Sequence, residues 1–144
     1  VPGFTHLLSA SAQTITHLLI RIFLGLSREN EKISFRMSIN KAIEFIYAHY
    51  GEKITVTDLA HVACLSPSHF SRIFKEETGQ SPIDYLMRTR LDCAKRMLRA
   101  EEYSVTEIAL RCGFNSSSYF SHCFQQAFNA SPSQLRKSLQ TAGS

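Results

Sequence analysis

The sequence lacks the short motifs on which most catalytic and metal sites are built. Its four cysteines, Cys64, Cys93, Cys112 and Cys123, are separated by 28, 18 and 10 residues, so there is no CxxC pair to found a zinc or redox centre. The six histidines are scattered, and the neighbours His122 and Cys123 point to different sides of a helix. No metal or other cofactor is expected. There is no glycine-rich phosphate loop, no carboxylate pair in a cleft-forming loop and no defensible Cys–His–Asp spacing, so an enzyme is not expected. Long apolar runs are also missing: the most apolar stretch, "ITHLLIRIFLGL" at 15–26, has 12 residues and contains Arg21, well short of the roughly 20 needed to cross a bilayer. With no secretory signal pattern either, the reading is a cytoplasmic protein with buried, reduced thiols and no membrane. The first residue is Val1 rather than methionine, and the chain is expected to be a piece of a longer protein.

What is present begins with a mild basic excess, 16 Lys and Arg against 12 Asp and Glu, for a formal charge of +4. That balance suits a polyanionic partner without identifying one. The stronger feature is an internal repeat. "ITVTDLAHVACLSPSHFSRIFKEETGQSP" (54–82) overlays "YSVTEIALRCGFNSSSYFSHCFQQAFNASP" (103–132) with one insertion after Ser66/Asn115. Val56/Val105, Thr57/Thr106, Ala60/Ala109, Phe70/Phe120, Phe74/Phe124 and Pro82/Pro132 run in step.

Each copy reads as two short helices. Thr55-x-x-Asp58 and Ser104-x-x-Glu107 are capping-box starts, giving helices that run to Cys64 and Cys112. Ser66 before Pro67, and Asn115 in the other copy, start the second helices. Gly79 and Asn129 tolerate the left-handed conformation of a helix stop, and Ser81-Pro82 and Ser131-Pro132 each launch a further helix. Two helices joined by a tight turn form a helix-turn-helix, whose second helix enters the DNA major groove.

Helical spacing separates the faces of those second helices. Phe70, Ile73 and Phe74 face inward in the first, leaving Ser68, Ser71, Arg72 and Lys75 outside. In the second, Phe120, Cys123, Phe124, Ala127 and Phe128 face inward, and Ser117, Ser118, Ser121, His122 and Gln125 outward. Small hydroxyls let a helix approach a surface closely and can hydrogen-bond base edges or phosphates. Between the copies, 82 to about 99 is expected as one rod roughly 27 Å long at 1.5 Å per residue, a length suited to major grooves that recur about every 34 Å. It carries Arg88, Arg90, Lys95, Arg96 and Arg99, of which one or two, Arg90 among them, are expected on phosphates.

Ahead of the repeat, positions 8, 12, 15, 19, 22 and 26 hold Leu, Ala, Ile, Leu, Ile and Leu, a heptad seam through which two copies of the chain could pair, or by which the helix could equally dock on a preceding domain or on the surface of this one. "SRENEKIS" (27–34) reads as a polar linker to a helix near Ile39 to His49.

The order and spacing of "FSRIFKEETGQSP", "RL..A..ML", "EIA...GF" and "YFS..F" strongly resemble the AraC/XylS family of bacterial transcription regulators. The resemblance covers residues 39 to about 138. It implies an all-α fold of two homeodomain-like helix-turn-helix subdomains joined by a rigid linker helix, here preceded by an amphipathic helix. The expected division is 1–38 (helix and linker, the end of an effector-binding or dimerising domain), 39–80 (first subdomain), 81–100 (linker helix) and 101–144 (second subdomain). It further implies binding to double-stranded promoter DNA and activation through RNA polymerase. Carried onto matching positions, base reading falls on Ser68, Ser71, Arg72, Ser117, Ser118, Ser121 and His122, with Arg72 foremost because a guanidinium pairs bidentately with guanine. Lys75, Gln125 and Arg136 suit phosphates.

The chain departs from the family pattern at three places. Cys64 stands where members usually have glycine, implying strain of order 1 kcal/mol in the first turn. Asn129 replaces a frequent glycine. His122 stands where many members carry arginine, and Gln125-Gln126 where lysine is common, so weaker reading by the second unit is expected. The competing reading is a helical module that docks a protein without specific DNA binding; steep salt dependence separates the two, because phosphate contacts release counterions.

Overall fold

The computed structural model describes residues 2–143, with side chains from Ser11 onward. Among these residues there are α-helices and no strand: α1 (Pro2–His49), α2 (Val56–Val62), α3 (Pro67–Thr78), α4 (Pro82–Arg99), α5 (Val105–Arg111), α6 (Ser117–Phe128) and α7 (Pro132–Ala142). None of the described helices is long and apolar enough to cross a membrane. The chain divides into two compact units, Val1–Met37 and Ser38–Ser144.

In the first unit the expected linker at 27–34 is helical, and α1 continues through it. The segment holds no proline, its Arg, Glu and Lys residues are good helix formers, and Lys32 Nζ lies 3.4 Å from Glu29 Oε1 one turn away. A polar composition marks a linker only where it also contains a breaker. Of the expected seam, Leu8 lies outside the described side chains, while Ala12, Ile15, Leu19, Ile22 and Leu26 are exposed. Leu18, Ile20, Phe23 and Leu24 are exposed as well, so the apolar surface extends round the helix and is not confined to one seam.

In the second unit every helix after α1 starts on a side-chain cap. Thr55 Oγ1 accepts from Asp58 N (3.2 Å) while Thr55 N donates to Asp58 Oδ2 (2.9 Å); Ser104 and Glu107 repeat this at 3.1 and 2.8 Å. The Thr55 N–H holds the Asp58 carboxyl below its ordinary range, so this box is intact at neutral pH and is lost as pH falls through that lowered value. Ser66 caps α3, with Pro67 in the first turn. The cap of α6 is Ser116, which accepts from Tyr119 N at 3.2 Å, and not Asn115: the inserted residue lengthens the turn ahead of the cap, leaving Phe120 four residues past Ser116 as Phe70 is four past Ser66. Gly79 (φ 80°) and Asn129 (φ 55°) close α3 and α6 in the left-handed conformation.

Helix α4 is common to two cores. It packs against α2 and α3 and also against α5, α6 and α7. Leu91, Cys93, Ala94 and Leu98 of α4 join Ile108, Ala109, Cys112, Phe114, Phe120 and Phe124 in one buried cluster. Toward the other end Leu86 is buried, and the Tyr85 ring meets Phe74 edge-on at 5.3 Å. Phe70, Ile73 and Phe74 of α3 are buried, as are Ile39, Ala42 and Ile46 in the last turns of α1. Thr89 is a buried polar side chain, satisfied by donating to Tyr85 O at 2.9 Å.

Two thiols depart from the expected burial. Cys93 and Cys112 are buried, but Cys64 is exposed and Cys123 half-buried. Burial pushes the Cys112 thiol up to about 12, which keeps it neutral. Cys64 adopts φ 57°, and Gly113, at the matching turn, φ 91°. Each turn closes alike: Leu65 N donates to Ala60 O and Phe114 N to Ala109 O, both at 3.0 Å. The positions differ in surroundings. A Cβ on Gly113 would lie 2.9 Å from both Arg90 Nε and Tyr50 O, whereas the Cys64 residue is exposed to solvent.

The first turn can therefore carry a side chain at the cost of backbone strain, and the second cannot. Cys64→Gly is expected to raise the unfolding free energy by about 0.5–1 kcal/mol, and Gly113→Ala to lower it by about 2 kcal/mol or more. Urea midpoints read both, and equal effects at the two turns would contradict this account.

Candidate nucleic-acid interface

The exposed sides of α3 and α6 follow from what their other sides bury. With Phe70, Ile73 and Phe74 in the core, Ser68, Arg72 and Lys75 are exposed and Ser71 is half-buried. Ser68, His69 and Arg72 line one shallow hollow. Among the described residues no carboxylate is salt-bridged to Arg72 or Lys75, so neither cation must first break an ion pair to meet a ligand. On α6, with Phe120 and Phe124 buried, Ser118, His122 and Gln125 are exposed and Ser117 and Ser121 half-buried. Each set thus lies on one helix face, one set rich in cations and the other uncharged apart from the ionisable His122.

Two residues beside the second face, Tyr119 and Gln126, are not among the expected site residues. Tyr119 is 53% exposed and, with His122, Cys123, Gln126 and Ala127 of α6 and Met87 and Leu91 of α4, lines an open groove. Helical arithmetic could have found them, since 119, 122 and 126 follow i, i+3, i+7 spacing. An aromatic beside Phe120 reads as core until the helix phase is fixed.

Two of the residues expected on phosphates have other partners. Arg90 is half-buried; its Nε donates to Tyr50 O at 2.7 Å and a terminal nitrogen to Glu52 O at 2.8 Å. Arg136, also half-buried, donates to Leu98 O (3.3 Å), Ala100 O (3.5 Å) and Tyr103 O (2.7 Å). The physical reason is shared. The last carbonyls of a helix have no intrahelical partner, and a guanidinium presents several donors in a planar fork. Arg90 from α4 takes two carbonyls of the turn that follows α1, and Arg136 from α7 takes one at the end of α4 and two in the segment after it. Lys75 and Gln125 remain exposed. On the rod, Arg88 and Lys95 lie over the Phe128 ring, 5.0 and 4.7 Å from its centre, and Arg88 also pairs with Asp92 at 3.3 Å. Arg96 donates to Cys93 Sγ at 3.1 Å. Among the described residues no cluster of three or more metal-ligating side chains occurs.

Two helix-turn-helix units on a common helix, each presenting a polar face on its second helix, define a nucleic-acid-binding class of protein. Residues 59–138 match the family model described as "Helix-turn-helix domain". The chain belongs to the AraC/XylS family of helix-turn-helix transcription regulators. It is 34% identical to the probable transcriptional regulator LumQ of Photobacterium leiognathi, over 90% of this chain and 52% of that one. It is 33% identical to the transcriptional activator RhaS of Escherichia coli, over 94% and 49%. The chain therefore spans about half the length of these relatives. Among solved structures it resembles the DNA-binding domain of AdpA, a global transcriptional factor, in complex with a target DNA: TM-score 0.70, 31% identity, covering 72% of this chain and 94% of that one.

The arginines and the lysine should separate in experiment. Arg136→Ala is expected to lower stability by about 1.5–3 kcal/mol, the scale of hydrogen bonds from a charged donor, and to leave the salt dependence of DNA binding unchanged. Lys75→Ala is expected to leave stability alone and reduce the slope of log affinity against log salt by about 1. Thermal melts and binding titrations across a series of salt concentrations check both; a reduced slope for Arg136→Ala would return that residue to the phosphates.

Proposed function

We propose that the chain binds double-stranded promoter DNA with α3 and α6 in successive major grooves and activates transcription there through contact with RNA polymerase, in the cytoplasm. The observation that carries this is the pairing of two repeated second helices, each with an exposed polar face, on one helix long enough for neighbouring grooves. Ser68, Ser71 and Arg72 read bases in the first groove, and Ser117, Ser118, Ser121 and His122 in the second, while Lys75 and Gln125 hold phosphates. The relatives named as a transcriptional activator and as a DNA-bound domain support the same reading. Tyr119 supplies an amphipathic surface beside His122.

Selection from a random duplex pool at several salt concentrations tests it. The expected product is two short sequence blocks about one helical turn apart, with affinity that falls steeply as salt rises. Loss of Arg72 is expected to cost about 1–3 kcal/mol of specific binding and to relax preference at one base pair, more than loss of His122 costs. Recovery of random sequence with salt-insensitive binding would defeat the proposal.

Self-association through residues 8–26 belongs to the same proposal. Support comes from the exposed stripe of Ala12, Ile15, Leu19, Ile22 and Leu26, which a second copy would cover by heptad packing. Sedimentation equilibrium is expected to show a dimer that becomes a monomer when Ile15→Glu and Ile22→Glu are combined; a chain that is monomeric without the substitutions refutes it.

A further inference from the structure

The turn that joins α1 to α2 belongs by sequence to the first subdomain, yet it is seated against the second. Tyr50 O receives Arg90 Nε at 2.7 Å, and Glu52 O receives another nitrogen of the same guanidinium at 2.8 Å. The backbone is close on the other side too. A Cβ on Gly51 would stand 2.5 Å from the Arg111 carbonyl oxygen at the end of α5, and one on Gly113 would stand 2.9 Å from Tyr50 O. The Tyr50 side chain packs against the buried cluster of the second half.

These contacts make a seam between the two helix-turn-helix units. Its parts are the 50–52 backbone from the first unit, the end of α5 and the following turn from the second, and Arg90 of the shared helix as the clamp. Nothing wider than a glycine fits at either close approach. A three-point attachment of this kind resists both bending and rotation of one unit against the other, which α4 alone, a single rod, would resist less. Arg90 is held there by geometry and not by an opposing charge: both its partners are carbonyl oxygens.

We propose that this seam fixes the phase between the two recognition helices, and that Arg90 is a positioning residue that makes binding depend on the base-pair spacing of the two half-sites. The proposal rests on the DNA-binding reading above and adds to it a specificity that no base contact supplies. Adding one base pair between the blocks rotates the second by about 35° and shifts it by about 3.4 Å. A locked pair of helices cannot follow that change, whereas a loosened pair can.

The experiment measures affinity of the full chain for the selected two-block duplex, for the same duplex with one base pair added or removed, and for duplexes with either block scrambled. The unsubstituted chain is expected to lose about tenfold or more on either spacing change, the scale of a mismatched base pair. Arg90→Ala is expected to keep its affinity for each single block while its spacing preference falls below about threefold, with Arg90→Lys intermediate because an ammonium can still bond one carbonyl. Gly51→Ala, at an exposed position away from both cores, leaves Arg90 in place but forces the seam open, and is expected to relax spacing in the same way. It decides the matter if Arg90→Ala does not fold. Variants that keep the full spacing preference, whatever their stability, overturn the proposal. So does an unsubstituted chain that binds the two blocks regardless of spacing. Absence of any preference for the blocks in the unsubstituted chain overturns instead the DNA-binding reading beneath it.

Discussion

Neither half of the 38–144 unit can bury its phenylalanines without α4. Helices of seven and twelve residues are too short to be stable alone, and α2 with α3, or α5 with α6, brings only one thin apolar layer. The rod closes both layers: its first turns meet Phe74 through Tyr85, and Leu91, Ala94 and Leu98 complete the cluster around Phe120 and Phe124. Because one continuous helix serves both cores, the hydrophobic energy that folds each unit also fixes where each second helix stands. The placement of α3 and α6 is thus a consequence of core packing, and a flexible linker in place of α4 would lose both.

The two arginines extend this logic to the carbonyl ends of the helices. A helix stop and the turn after it leave carbonyl acceptors outside the helical ladder. Arg90 and Arg136 satisfy them from the following scaffold helix, each tying a helix end to the element that comes after the recognition helix. Basic residues of the chain thus differ in their partners: Arg90 and Arg136 hold backbone carbonyls, while Arg72 and Lys75 stand exposed on α3.

This division explains how much is legible in the sequence. The repeat is readable because its two copies match in order and spacing, the left-handed stops because a single residue marks each, and the capping boxes and the inward phenylalanines because each depends on residues three or four apart. The rod at 82–99 is readable for the same reason. Arg90 and Arg136 are not, since their partners lie between 33 and 40 positions away and a carbonyl acceptor carries no residue signature. The polar 27–34 segment misleads because charged residues suit an exposed helix as well as a loop. Asn115 and Ser116 are both good caps, and only the buried phase of Phe120 selects Ser116. Cys64 is unusual for its turn on sequence alone, but that Gly113 must stay glycine depends on Tyr50 O and Arg90 lying against it.

The most direct test of a rigid two-helix reader is a hydroxyl-radical footprint of the chain on its selected duplex. Two protected patches are expected on one face of the DNA, about ten base pairs apart, appearing together at the same protein concentration. A single patch, or two patches that fill at different concentrations, would contradict it, because then the two helix-turn-helix units would engage DNA independently and the shared helix would not hold them as one body.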